Sequence, residues 1–272
     1  MKKIFMVLFA ALAVAAFVSS CGKDDGKKKG NNEGGGEEEE PALIAVDGDF
    51  ADWDAIKDVT TIECPEDAFF PALKKAKLAA DANNIYAYIE YEPVEGQAVA
   101  PFEMIINADN DDETGGKEWL FKGADEATYC GYEYCAESEN GFIRDGKVVD
   151  MSSKDVVFED GSSHPDGSVY EFKGPNGLEA WEDELAEGYT FSDDGSYLFD
   201  VARGVIHSAG VIEGGIAKVE ISVSREDMEI PGSSIKVGLI VFTDDWETAG
   251  CLPQGPASGT TIGQADMQKL DL

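Results

Sequence analysis

The sequence predicts an all-β protein, with two sheets packed as a single β-sandwich. Three observations carry this. The chain falls into many short apolar runs separated by Asp, Asn, Gly or Pro, only one run has helical spacing, and I, V, Y and F concentrate in the runs. The 43% hydrophobic and 10% aromatic content over 272 residues suffices for one core, and all-β domains reach such lengths without dividing.

Taken in order, the expected strands are 59–64, 76–80, 85–91, 102–108, 127–136, 168–172, 196–202, 215–223 and 235–243. Ile85-Tyr86-Ala87-Tyr88-Ile89-Glu90-Tyr91 is dense in β-formers and stops at Pro93. Ala217-Lys218-Val219-Glu220-Ile221-Ser222-Val223 alternates apolar and polar residues, the pattern of a half-buried strand. Leu178, Trp181 and Leu185 place the one expected helix at 177–187, and Ser224 to Met228 offers a further turn. The stretch 137–195 is long and acidic and reads as an insertion in the sandwich.

The first forty residues stand apart. Lys2 and Lys3 precede an apolar run from Ile4 to Val18, about 15 residues where a spanning helix needs about 20. This is the layout of a secretory signal, expected to occupy 1–20. Val18-Ser19-Ser20-Cys21 resembles a lipobox, the recognition site of lipoprotein signal peptidase. The resemblance implies that Cys21 becomes the first residue and carries diacylglycerol and an acyl chain such as palmitate, anchoring the protein to a lipid bilayer. Gly22 stands where some lipoproteins carry an inner-membrane retention Asp. Lys23-Asp24-Asp25 resembles a surface-export signal, so the expected address is the outer membrane, facing the cell exterior. Residues 21–40 contain no apolar side chain after Cys21 and read as a flexible acidic linker to a domain at 41–272.

The net charge of −34, with 55 acidic against 21 basic residues, excludes nucleic acid as a partner, because phosphate binding needs clustered Lys and Arg. Most of the acid lies beyond Pro41, so the domain itself has an acidic skin.

Val46-Asp47-Gly48-Asp49-Phe50-Ala51-Asp52-Trp53 resembles the opening signature of the family 9 carbohydrate-binding modules and their DOMON-like relatives. Three further segments agree in order: 76–89, 102–116 and 219–228. The resemblance implies an immunoglobulin-like two-sheet sandwich over about 43–250, carbohydrate binding, and structural calcium. It departs at Ser222, where the family has Pro nearby, and in 137–195.

The chemistry expected of individual residues follows from their types. Asp109, Asp111 and Glu113 alternate along a loop that follows a strand and supply oxygen ligands for calcium. The alternative there is a solvated acidic turn. Asp47 and Asp49, with Asp52, form a second acidic cluster, read first as turn hydrogen bonding and second as a metal site. Sugar binding needs an aromatic face and hydroxyl-bonding groups in a cleft. Trp246, flanked by Asp244, Asp245 and Glu247, is the leading platform; Trp119 and Trp181 are the others, and Trp53 is assigned to the core. Cys64, Cys130, Cys135 and Cys251 allow two disulfides in three connectivities. No nucleophile elbow, phosphate loop or His-Glu metal motif is present, so the protein is read as a non-enzyme. The functional expectation is capture of a neutral oligo- or polysaccharide for a neighbouring uptake or degradation complex. The alternatives are a calcium-stabilised adhesive domain and a glycoside hydrolase.

Overall fold

Alternation along Ala217–Val223 shows how the domain is layered. Ala217, Val219, Ile221 and Val223 are fully buried on one face, while Glu220 and Ser222 on the other face are buried too. That strand is therefore covered on both sides. The computed structural model describes residues 42–57, 59–118, 128–173, 197–255, 257–258, 261–262 and 265–272. Residues Pro41–Leu272 cluster as a unit of their own. The helix expected at 177–187, Cys21, Trp119 and Trp181 lie outside the described residues.

A short helix α1 (Ala51–Ala55) leads into β1 (Thr60–Glu63), β2 (Leu73–Ala80), β3 (Asn84–Tyr91) and β4 (Phe102–Asn107). A hairpin of β5 (Gly116–Glu118) and β6 (Tyr129–Tyr132) precedes β7 (Tyr134–Ser138). Short strands β8 (Ile143–Arg144), β9 (Lys147–Val148), β10 (Asp155–Val157) and β11 (Ser163–Pro165) fill the crossing to β12 (Ser168–Lys173). Then come β13 (Tyr197–Ala202), β14 (Ile206–Glu213), β15 (Ile216–Ser224), β16 (Ser234–Phe242) and β17 (Thr248–Leu252). A two-residue pair, β18 (Ala257–Ser258) and β19 (Thr261–Ile262), is followed by β20 (Gln268–Asp271).

Two antiparallel sheets result. One has five strands in the order β1-β2-β3-β15-β14; the other has seven, β13-β12-β7-β4-β16-β17, with β20 also pairing β16. Between them lies the main core. Leu78, Ile85, Ile89, Val219 and Ile221 from the first sheet belong to the same cluster as Phe102, Met104, Ile106, Val237 and Leu239 from the second. Each such side chain contributes about 1.5–3 kcal/mol on leaving water.

Both outer faces are covered in part. On the five-stranded sheet, Tyr86 and Tyr88 pack under the segment that holds Ile44, Phe50 and Trp53. The Phe50 and Tyr88 rings meet edge-on at 5.2 Å. On the seven-stranded sheet, Ile105, Cys135, Ile240, Phe242 and Cys251 lie under Tyr129, Tyr132, Ala265 and Met267. This extra layer explains why β16 is buried almost continuously instead of alternating.

The strand expected over 127–136 is two strands in two different sheets, and this corrects the reading. The chain bends at Glu133, between β6 and β7, and just before it Gly131, at φ +80°, lies against the 109–115 loop. A Cβ there would fall 2.3 Å from the Asp111 carbonyl oxygen, so only glycine fits. Strands β14, β17 and β20 were not expected. β14 is an edge strand interrupted by Gly210, with only two of its eight residues buried, and the other two are short.

Within the described part of 137–195, a buried ion pair fixes the turn after β7. Asp166 is 1% exposed and accepts hydrogen bonds from the Ser138 hydroxyl at 2.8 Å and from the Glu139 and Asn140 amides at 3.0 and 2.9 Å. Arg144 lies 3.7 Å away and also donates to Ser153 Oγ and the Met151 carbonyl.

Candidate functional site on the outer face of the seven-stranded sheet

Cross-strand register assembles one row of side chains on this face. Ile240 of β16 is opposite Glu103 of β4, Glu103 is opposite Glu137 of β7, and Glu137 is opposite Ser168 of β12. Cross-strand partners share a face, and three strand spacings make the row about 14 Å long. Two residues beyond Ile240 along β16, Phe242 belongs to the same outer layer.

Trp246 stacks on Phe242, with ring centroids 5.3 Å apart at 44°. It is 43% exposed, the most exposed aromatic side chain among the described residues with a large apolar body. Its backbone explains its placement. The Trp246 amide donates to the Thr243 carbonyl at 2.9 Å and the Thr243 amide to the Glu247 carbonyl at 2.8 Å, closing a tight hairpin turn. Trp246 sits in it at φ +60°, a position that ordinarily selects glycine. Asp244 pins the turn by accepting from the Ala98 and Val99 amides at 3.0 and 3.1 Å. An indole held at a left-handed position and left half open to solvent is a strained feature of the kind that clusters at binding sites.

Register places Glu103 and Glu137 side by side as cross-strand partners, close enough for the two carboxyl groups to interact directly. Burial raises both, Glu103 well above the carboxylate range and Glu137 to about 8, with Glu118, Glu139 and Asp166 adding repulsion. Glu103 Oε2 and Ser168 Oγ are buried without a hydrogen-bond partner. Buried polar atoms are ordinarily paired, so two orphans flanking Glu137 on one face mark a place built for hydrogen-bonding groups from elsewhere. Sequence reasoning did not single out Glu103, Glu137 or Ser168. Carboxylates are too abundant here, and only register picks out this pair.

The 109–115 loop is organised by its own hydrogen bonds. Asp109 Oδ1 accepts from the Asp111 amide at 2.8 Å, Asp111 Oδ1 from the Glu113 amide at 2.9 Å, and the Thr114 hydroxyl donates to Asp109 Oδ2 at 3.1 Å. Lys236 Nζ meets Asp112 Oδ1 at 2.7 Å. The Thr114 hydroxyl also lies 3.0 Å from the Asp111 carbonyl and 3.2 Å from Glu133 Oε1, and among the described residues no group of three or more His, Cys, Asp or Glu side chains is arranged to hold a metal ion. The loop borders an open acidic cleft of about 500 Å³ that also presents Glu133, Glu171 and Glu229. Burial, with Asp109 beside it, pushes Glu133 up to about 7.

At the other acidic cluster, Asp47 Oδ1 accepts from the Asp49 amide at 2.8 Å, Asp49 Oδ1 from Ala51 at 3.2 Å, and Asp52 Oδ2 from Ala45 at 3.0 Å. Buried Glu220 closes the turn by accepting from the Asp47 and Gly48 amides, both at 2.5 Å. Trp53 is 2% exposed in the layer above. Cys64, Cys130, Cys135 and Cys251 are free thiols, and Cys130 and Cys135 lie on separate strands.

Among the described residues, Ser152, His207 and Asp150 form a Ser-His-Asp set that is not arranged to relay a proton. The Ser152 hydroxyl and Asp150 Oδ2 approach the same ring nitrogen, His207 Nδ1, at 3.2 and 3.4 Å, whereas a relay uses the two nitrogens separately. The Glu103–Glu137 pair is in direct contact, closer than the 5 Å or more that either glycosidase geometry needs.

No family model matches the chain, and no curated protein matches it. Among solved structures, a family 9 carbohydrate-binding module from Caldicellulosiruptor kristjanssonii in complex with cellotriose aligns with a TM-score of 0.40 at 10% identity, covering 85% of this chain and 90% of that one.

Proposed function

We propose that this protein binds a neutral oligosaccharide or polysaccharide on the outer face of its seven-stranded sheet, as a lipid-anchored protein of the cell exterior. One observation carries the binding reading: an exposed indole, stacked on Phe242, stands on the same face as a row of buried, partly unpaired polar groups. Sugars need this pairing, because their C–H faces stack on aromatic rings while their hydroxyls seek hydrogen-bond partners. The preference for neutral sugars rests on charge. Glu118, Glu137 and Glu139 crowd this face, and the whole chain is strongly acidic, so a uronic or sulfated glycan would be repelled.

The anchor rests on the Lys2–Cys21 segment and the apolar-free linker. A role in delivering glycan to a neighbouring uptake complex fits an exposed tether. Affinity electrophoresis of residues 41–272 through gels carrying soluble neutral polysaccharides tests the binding, with Trp246→Ala expected to migrate as in a gel without polysaccharide. Incorporation of labelled palmitate into the full chain, lost in Cys21→Ser, tests the anchor.

A further inference from the structure

We propose that the Glu103–Glu137 pair holds a single proton and lends it to the bound sugar as a hydrogen-bond donor, so that glycan binding depends on that proton and is lost in alkali. The inference rests on the glycan reading above and adds a chemical condition to it.

The geometry leads there directly. The two carboxyl groups are cross-strand partners at the centre of the row and lie close enough to interact directly. One oxygen of the pair, Glu103 Oε2, is buried and unpaired, and beyond Glu137 the Ser168 hydroxyl, on a side chain 2% exposed, is unpaired as well. The groups facing the pair among the described residues are Glu118 of β5, Tyr132 of β6, Cys135 of β7, and Glu139 and Asp166 at its end. None is cationic. Without the shared proton the row would present two adjacent anions, and ionised carboxylates only accept hydrogen bonds. A sugar hydroxyl both donates and accepts, so a carboxyl–carboxylate pair matches it better than two carboxylates do. Deprotonation also sets Glu103, Glu137 and Glu118 repelling one another across the site. The proton leaves late, since burial holds Glu137 near 8, and the pair titrates as a unit.

The test measures Kd by Trp fluorescence from pH 6 to 9.5, using the polysaccharide that retards the wild-type domain most. The expected Kd is constant up to the pair's titration and then weakens about tenfold per pH unit, the signature of one linked proton. Glu103→Gln supplies a permanent amide donor to Glu137, so its Kd is expected to stay level across the same range. A wild-type Kd that stays level to pH 9.5, or a Glu103→Gln variant with the wild-type slope, overturns the inference while leaving the glycan reading intact. Failure of every polysaccharide to retard the protein at any pH removes the glycan reading and this role with it. Carbon-13 titration of the two carboxyl groups in the free protein then separately reports whether they share a proton. Circular dichroism confirms that Glu103→Gln folds.

Discussion

Replacing Glu137 by Gln is expected to make the domain's stability less dependent on pH. In the folded protein this carboxyl titrates near 8, against an ordinary value of 4.5, because burial disfavours its charge and Glu139 adds repulsion. The fold holds its proton more tightly than the unfolded chain does. Its contribution is therefore complete below about pH 4.5, declines as pH rises through the neutral range, and is gone above about 8. One pKa unit is worth about 1.4 kcal/mol, which sets a ceiling of about 5 kcal/mol. The pair lies at a partly solvated sheet face, so about 2 kcal/mol is the expected share. For a domain of this size that is about 4–8 °C in Tm. The assay is Tm by calorimetry at pH 5, 7 and 9 for wild type and Glu137→Gln. The wild type should lose several degrees more than the variant between pH 5 and 9. General self-repulsion of the acidic chain affects both proteins alike and cancels in the difference. Parallel curves would refute the reasoning.

Trp246→Gly removes the aromatic platform while relieving a left-handed residue that costs about 1–2 kcal/mol. That relief offsets the lost stacking on Phe242, so Tm should move by under about 4 °C while polysaccharide retardation disappears. Asp166→Ala should be strongly destabilising, by about 3–5 kcal/mol in urea unfolding, because Arg144 is left buried beside three unpaired donors. Adding calcium or EDTA should shift Tm by less than about 1 °C, since the Asp109, Asp111 and Asp49 oxygens are engaged by backbone amides; a rise of several degrees with calcium would show that the loop rearranges to bind it.

The fold class was legible because strands with one buried face write their period into the sequence. Ala217–Val223 alternates, and it forms a strand with the expected face inward. Where a strand contributes little apolar surface, as β14 does at the edge of its sheet, that signal fades. The merged run at 127–136 misled for a different reason. Tyr129, Tyr132 and Tyr134 are all buried, but in different layers, and the bend at Glu133 that separates them follows the tight approach of Gly131 to the Asp111 carbonyl, which spacing does not show.

The candidate site was legible only in part. Trp246 attracted attention because an indole among three acids is hard to bury, and it stands 43% exposed. Glu103, Glu137 and Ser168 are separated in sequence by tens of residues and carry no motif. Their meeting depends on the order β12-β7-β4-β16 and its register, a non-local property that composition and spacing do not encode. Acidic loops gave the opposite difficulty. Asp109 and Asp111 at alternate positions suit cation ligation and Asx-type turns equally in sequence, and only the structure shows which backbone amides their oxygens accept from.

Retardation of residues 41–272 in gels containing neutral polysaccharide, run beside Trp246→Ala, bears most directly on the central claim. Slowed migration is expected with at least one neutral polysaccharide for the wild type, and none for the variant. Equal migration of both proteins in every gel would contradict it.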